Sequence, residues 1–552
     1  MCQDVQSGYV DYQVSVPTLA AMRKLIPLLF ALSLVASACV AGEDNVISIE
    51  PQDSVTTLPP LSSSTTNGGE PGPTSTLPSE TTTTTISPRP AGVVTPETVF
   101  KPWGSVNGLT MFRGNPTRTF FGTGPVPRSV PRVLWKYPDH PMTGSSPVGR
   151  EPKVWSGTGW TGQPVVYERE DGKTELIFGA YDKKIHFVDA DTGENLRPGY
   201  DMGDIIKGSV TLDPDGFPLL YTGSRDPRFR ILALDGDEVR EVWSLHAKAV
   251  EGIWNDDWDS NPVIVDDMMY QGGENSWWFA VKLNRGYDEE GRVTVSPEIV
   301  YQTKAWSDEL LDLLGRDQSV ENSTAIFGQK AYFANSAGRI RGIDLSDIEN
   351  GNAETFFDWW IGDDTDATIS IDAEGFIYVV AHADHEKDNN TAARRVREVG
   401  QLVKLDTSIE VGDPLTSVAP IVWKVDIPAA RGQDTGAWAT PALHPDGVIF
   451  VATDNGDLLA VDTDTGEIVW EDTIGVNAWS SPVIVDDTLI IAVNCFSKDS
   501  GLRAYDLSDP RNPVEMWTKT PASDGCIEST PAVWNGTIYV GSRDGFMYAF
   551  GS

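Results

Sequence analysis

Acidic residues stand at the starts of several alternating apolar runs in this chain: Asp257, Asp259, Glu321, Asp366, Asp434 and Glu528. Carboxylates brought together from separate strands are the oxygen donors a hard cation takes. The chain has 80 Asp+Glu against 42 Lys+Arg and a formal net charge of -38, so solvated loop acids are the simpler reading of any one of them. Trp254, Trp258, Trp277, Trp278 and Trp438 fall near these acids, in stretches that read as loops. Aromatic rings beside carboxylates suit stacking on a sugar or on apolar residues of a partner. His382, Asp384 and His385 lie within one polar hairpin and could grip a metal, although a polar loop tip explains them more cheaply. Asp454-Asn455-Gly456-Asp457 looks like the start of a Ca²⁺ loop but lacks the distant bidentate Glu, so it reads as a hairpin turn. With 6 His and no H-E-x-x-H, G-x-S-x-G or phosphate-cradling glycine loop, the sequence offers no familiar catalytic set.

The elements that must position these residues are β-strands. Val448 to Val451 alternates, Asp454 to Asp457 turns, Leu458 to Val461 alternates again, and Asp462-Thr463-Asp464-Thr465-Gly466 turns once more before a strand ending in Trp470. Period-two hydrophobicity punctuated by such turns predicts an antiparallel meander. Asp462 is expected to accept N–H groups of the Thr465-Gly466 turn, with the Gly at positive φ and Trp470 wedged between sheets. The pattern A-x-D-x-x-T-G-x-x-x-W, complete at 460–470, resembles the repeat motif of the pyrroloquinoline-quinone (PQQ) β-propeller family. Degenerate copies recur at Asp189 to Gly193, Ala233 to Asp235 with Trp243, and Gly342 to Asp344 with Trp359. Later copies fall at Leu405-Asp406 with Trp423 and Ala504 to Asp506 with Trp517.

Strand starts near Thr161, Gly208, Ser260, Asn322, Ala367, Trp438, Trp479 and Ser529 are spaced by about 40 to 70 residues, which is propeller spacing once insertions are allowed. The lone strand Arg132 to Tyr137 and the three strands after Ser529 complement each other as one blade. Pairing them would close the ring and remove both exposed edges. The expected fold is all-β: an eight-bladed propeller of four-stranded antiparallel blades, or seven if the third repeat is misread. The segment Trp103 to Pro131, with Met111-Phe112-Arg113-Gly114-Asn115-Pro116, resembles the lead-in found before many bacterial domains of this family. In such a meander the D–A connections and B–C hairpins share one face. Glu251 to Asp259, Lys304 to Glu321, Asp363 to Asp366 and Arg431 to Trp438 all fall there, as do the hairpins Ser224 to Arg230, Gly272 to Trp278 and the long polar His382 to Gly400. Variable loops on a rigid ring are where binding is usually carried. Cys495 and Cys526 fall on that face in adjacent blades, and a disulfide between them is expected in an exported chain.

Export is read from the N-terminus. Arg23-Lys24, an apolar run from Leu25 to Val35 and Ala36-Ser37-Ala38-Cys39 form a secretory signal too short to span a membrane, with Met22 the expected start. Cys39 resembles the lipidated Cys of bacterial lipoproteins, although Ala36 stands where that family prefers Leu. Lipidation at Cys39 is expected over simple cleavage after Ala38. Residues 39–99 are dominated by Ser, Thr, Pro, Glu and Gly and read as a disordered tether. Extended, it would reach on the order of 190 Å. The propeller is expected to occupy 100–552.

The strong negative charge repels nucleic acid and anionic lipid head groups, which sets both aside as ligands of the propeller body. The family's dehydrogenases hold PQQ and Ca²⁺ on the axis, with an Asp base, a stacking Trp and a disulfide between adjacent cysteines. This chain has no Cys-Cys pair. The resemblance therefore implies a surface-anchored, non-catalytic propeller without cofactor, serving as a scaffold for an envelope protein or a glycan. A PQQ- and Ca-dependent dehydrogenase and a carbohydrate-binding propeller are the alternatives.

Overall fold

The computed structural model describes residues 93–552, apart from 149, 161, 428–434, 476–477, 494–500 and 520–525. The described residues form eight antiparallel blades, the expected number. The last blade is made as its ends require: Ala532–Trp534, Thr537–Gly541 and Met547–Gly551 are completed by Arg132–Tyr137. That outer strand pairs Arg132 with Gly551 and Tyr137 with Met547, so the first and last strands lock the ring. Two helices occupy connections that read as irregular loops. The first, α1 (Asp308–Leu314), is capped by Ser307, whose side chain accepts from the Leu310 N–H. The second, α2 (Asn390–Val399), is capped by Asn389, which accepts from Thr391 and Ala392. Their short apolar periodicity is what the strand-based reading passed over. Among the described residues no helix is long and apolar enough to cross a membrane. Val94 is buried and bridges to Gly328, so packed structure already exists ahead of Phe100. Cys39 and the rest of the proposed signal and tether up to residue 92 lie outside the described residues.

The repeat motif works as its residue types dictate. Asp462 Oδ1 accepts from the N–H groups of Asp464 at 3.1 Å and Thr465 at 3.0 Å, and Gly466 sits at φ +75°. Trp470 meets Tyr505 of the next blade edge-on at 5.6 Å. The Thr-Gly turn also receives the Trp of the preceding blade, since Trp423 Nε1 donates to the Thr463 carbonyl at 2.8 Å. A Cβ on Gly466 would lie 2.8 Å from Trp423 Cγ. Gly466→Ala is therefore expected to cost about 1–3 kcal/mol, from left-handed backbone strain plus a displaced indole. Urea unfolding should show a lower midpoint with an unchanged slope; an unchanged midpoint would mean that the turn relaxes freely.

Strand A of each blade is innermost, and its inner edge needs partners. Part of the answer is a hydroxyl ladder between blades. The Gln163 N–H donates to Ser209 Oγ at 2.9 Å and that of Asn261 to Ser323 Oγ at 3.1 Å. Ser323 donates to Thr368, Thr368 to Thr440 and Thr440 to Ser481, each at 3.0 Å. The remainder is supplied by the lead-in, which runs round the inside of the ring. Leu109 pairs with Val166, and the Leu212 N–H donates to the Thr110 carbonyl at 2.8 Å. Ile326 donates to Pro116 at 2.8 Å, Ile371 to Thr117 at 3.1 Å, and Gly122 bridges to Val533.

Two fully buried arginines fix this plug. Arg113 Nη1 donates to Thr440 and Pro482 carbonyls at 3.1 and 3.3 Å, and Nη2 to Pro441 at 2.7 Å. Arg118 donates twice to the Thr324 carbonyl, at 3.0 and 2.6 Å. Among the described residues neither pairs with a carboxylate. Burial pushes Arg118 down to about 9, and burial followed by the Arg118 charge holds Arg113 well below its usual value.

Candidate functional site

The hydroxyl ladder defines equivalent positions around the ring, and the residue two before each rung faces the axial mouth. Going round from blade 2, these are Lys207, Asp259, Glu321, Asp366, Trp438, Trp479 and Glu528; Thr161 of blade 1 lies outside the described residues. One repeat position thus carries a cation, four carboxylates and two indoles. The plug grips strand A one to several residues deeper, so the arginines lie below this ring rather than in it.

Lys207 is the cation of the acidic half. Its Nζ is ion-paired with Asp259 and lies 3.4 Å from Glu274 Oε1. Asp259, Glu274 and Glu321 each bring an oxygen within 4.8 Å of the others'. Burial opposes the ammonium, yet Asp259, Glu274, Glu321 and Asp257 together hold its pKa well above the usual lysine value. The acids feel the reverse: burial raises Glu274 and Glu321 well above the carboxylate range. Asp257 is pushed up to about 6 by burial, offset by Lys207 and by Arg225, whose Nε is 2.6 Å away. Asp317 is raised to about 7 by burial and then by Asp366. Burial and Asp366 likewise raise Asp364, whose Oδ1 has no hydrogen-bond partner. Asp366 itself accepts from Ser336 Oγ at 3.2 Å.

The other half is aromatic. Trp438 stacks on Trp479 at 5.1 Å and 20°, with Trp160 edge-on at 5.4 Å and His382 edge-on at 4.6 Å. Glu528 is separated from the other acids' cation and pairs instead with Arg543 at 2.6 Å. A hairpin of Thr143–Val148 and Glu151–Ser156 borders this side, and the arginines of the mouth hold it. Arg225 Nη1 donates to the Pro147 carbonyl at 3.1 Å and Arg543 Nε to that of Ser156 at 2.9 Å.

The expected face residues therefore separate into groups. Asp257, Asp259, Glu321 and Asp366 meet at the mouth, Trp438 and Glu528 line it, and Asp434 lies outside the described residues. Trp258 and Trp278 are buried and do not present their rings on the loop face. Trp258 packs between Phe229 and Phe279, and Trp278 stacks on Phe333 while donating to Thr324 Oγ1. Trp278 lies inside a strand, where an indole packs against the neighbouring blade. Trp277 is half-buried against Trp306, and Trp254 alone of the four is exposed, at 45%. His382 and His385 do not converge, pairing with Asp454 at 2.9 Å and Asp363 at 3.1 Å respectively. Cys526 is disulfide-bonded, and Cys495 lies outside the described residues. Glu274, Asp317 and Asp364 lie within loops expected on this face although they were not singled out, whereas Lys207, Trp160 and Trp479 were not expected at the site. Lys207 and Trp479 stand at or beside expected strand starts, so the repeat phase was the signal for both.

A quinone with a divalent cation would need an acidic triad and a flat aromatic face. The triad has the right donor chemistry, but the Lys207 ammonium already sits against two of its three members. The mouth indoles are packed on one another and on His382, leaving no ready-made slot between them. These residues do not fit that pair.

Residues 419–551 match the family model described as "Outer membrane protein assembly factor BamB", a PQQ-type repeat. Quinohemoprotein alcohol dehydrogenase ADHIIG from Pseudomonas putida HK5 is similar at 11% identity, covering 81% of this chain and 80% of that one, with a TM-score of 0.52. The quinohemoprotein alcohol dehydrogenase of Comamonas testosteroni is similar at 12% identity over 80% of each chain, TM-score 0.50. BamB from Moraxella catarrhalis aligns at 12% identity over 77% of this chain and 100% of that one, TM-score 0.36. No curated protein sequence matches. At such identities the structures share the fold alone.

Proposed function

We propose that this chain is a surface-anchored, non-catalytic propeller that binds an envelope partner on its loop face, held clear of the membrane by the Ser/Thr/Pro tether and a lipid on Cys39. One observation carries the non-catalytic part: Lys207 is ion-paired within the only compact carboxylate triad found among the described residues. An ammonium there neutralises the acids internally and competes with any divalent ion for the same oxygens. The family description over 419–551 supports a role in assembly or binding within an envelope. The fold shared with quinohemoprotein dehydrogenases supports no particular chemistry.

The test is cofactor retention. The purified chain, incubated with PQQ and Ca²⁺ and passed through gel filtration, is expected to elute without quinone absorbance and without stoichiometric calcium. Quinone retained one-to-one, and lost on Glu321→Gln or Asp366→Asn, would make the protein a quinoprotein and sink the scaffold reading.

A further inference from the structure

We infer that the Trp254 cavity on the loop face is a carbohydrate subsite that takes a neutral pyranose ring; this rests on the binding-scaffold reading and names a ligand class for it. The cavity, of about 460 Å³, is lined by Lys248, Glu251, Trp254, Asn255, Asp256 and Asn275. Its volume is in the range of small-ligand sites.

The loop that carries Trp254 is braced from several sides. Trp277 Nε1 donates to the Glu251 carbonyl at 3.0 Å and Arg316 Nε to that of Ile253 at 2.8 Å. Asn255 Nδ2 donates to Glu274 Oε2 at 3.1 Å, and Asn275 Nδ2 to the Ala247 carbonyl at 2.9 Å. Gly252 lies so close to blade 3 that a Cβ there would be 2.4 Å from the Asn275 carbonyl oxygen. An indole left 45% exposed on a backbone fixed this tightly is a pre-organised platform, because its ordering cost is met before any ligand arrives.

A pyranose presents a face of C–H groups and a rim of hydroxyls. The first suits an indole face; the second suits paired donors and acceptors. Beside Trp254, Lys248 Nζ and Asp256 Oδ2 form an ion pair at 2.5 Å on the cavity wall, leaving two ammonium N–H donors and the second carboxylate oxygen for adjacent hydroxyls. Exposed Glu251 adds a second carboxylate. The net charge of -38 disfavours uronate- or phosphate-bearing glycans, which is why the ring is neutral.

The experiment titrates the purified full-length chain with chitopentaose and with maltopentaose, following tryptophan fluorescence, and repeats it by co-sedimentation with insoluble chitin and amylose. The expected result is saturable quenching by at least one oligosaccharide, with sedimentation by the matching polymer if extended glycan is the physiological source. Trp254→Ala is expected to weaken binding about tenfold or more while leaving the melting temperature unchanged, and Trp254→Tyr to restore most of it. No saturable binding of either sugar, or binding that Trp254→Ala leaves intact, overturns the subsite. A protein captured by wild type and released by Trp254→Ala, without sugar binding, also overturns it and leaves the scaffold reading standing. Quinone retention in the earlier test would do the opposite.

Discussion

Replacing Arg113 with methionine is expected to lower the unfolding free energy of the propeller by on the order of 3–5 kcal/mol. The side chain makes four donations, to the carbonyls of Arg118, Thr440, Pro441 and Pro482, and its guanidinium lies 4.5 Å from the Phe121 ring centroid. Methionine fills similar volume but takes away the Arg113 donor from four buried carbonyls, of which Pro441 keeps Ser370 Oγ at 3.2 Å; each of the other three costs about 1–3 kcal/mol where water cannot reach. Part of that loss is offset, because a buried guanidinium without a carboxylate is itself costly and disappears with the substitution. The acceptors belong to two different blades and to the plug, so the balance falls on cohesion around the ring. Arg113→Lys should recover little, since a point ammonium cannot reproduce a planar fork that reaches two blades and the plug. Urea unfolding of the three proteins decides it. A methionine variant within 1 kcal/mol of wild type would mean that the plug is held by its backbone pairs alone.

The lead-in also shows where sequence reading stops. Its spacing from the first strand and its resemblance to similar segments marked it as part of the domain, but no periodicity reports that a segment threads the inside of a ring. That information lies in contacts such as Thr110 with Leu212 and Pro116 with Ile326, between residues far apart in the chain. The blades themselves were legible because each one is local: turn residues such as Asp462 and Gly466 hydrogen-bond within a few positions. Closure was legible because Arg132–Tyr137 had no partner nearby and the C-terminal blade lacked a fourth strand. The acids of the mouth were found for the same reason, as each stands just before a recognisable strand A. Glu274 was placed on the face only through its B–C hairpin, Gly272 to Trp278, because nothing in the sequence says how far such a hairpin leans toward the axis. Trp258 and Trp278 were misplaced because a loop or strand-edge tryptophan looks the same whether its ring faces solvent or the adjacent blade.

Lys207→Met is expected to make the stability of the protein steeply dependent on pH and newly responsive to calcium. In the wild type, burial already raises the folded-state pKa of Glu274, Glu321, Asp364 and Asp366 above the ordinary carboxylate value, with Asp257 near 6 and Asp317 near 7. A carboxyl with a raised folded pKa holds more protons folded than unfolded. Its contribution is therefore most favourable below about pH 4 and declines as pH rises through the folded value. Wild-type stability should accordingly fall, not rise, between about pH 5 and 8, because the acids with lowered pKa, buried Asp363 and several at the surface, titrate below that window. Removing the ammonium takes away the charge that most opposes this trend at Asp257 and Glu274. At pH 8 the variant should be less stable than wild type by roughly 3–5 kcal/mol, the cost of uncovering one side of a buried ion pair. Toward pH 5, as protons on the raised acids take over from the ammonium, the gap should narrow to about 1 kcal/mol. At pH 8 the missing ammonium leaves Asp259, Glu274 and Glu321 open to a hard cation, so millimolar Ca²⁺ should raise the melting temperature of the variant and leave wild type unmoved. A variant that tracks wild type from pH 5 to 8, or a wild type that gains as much from Ca²⁺ as the variant does, would show that the lysine is not the resident cation of this mouth. The argument against a quinone–metal pair on the axis would fall with it.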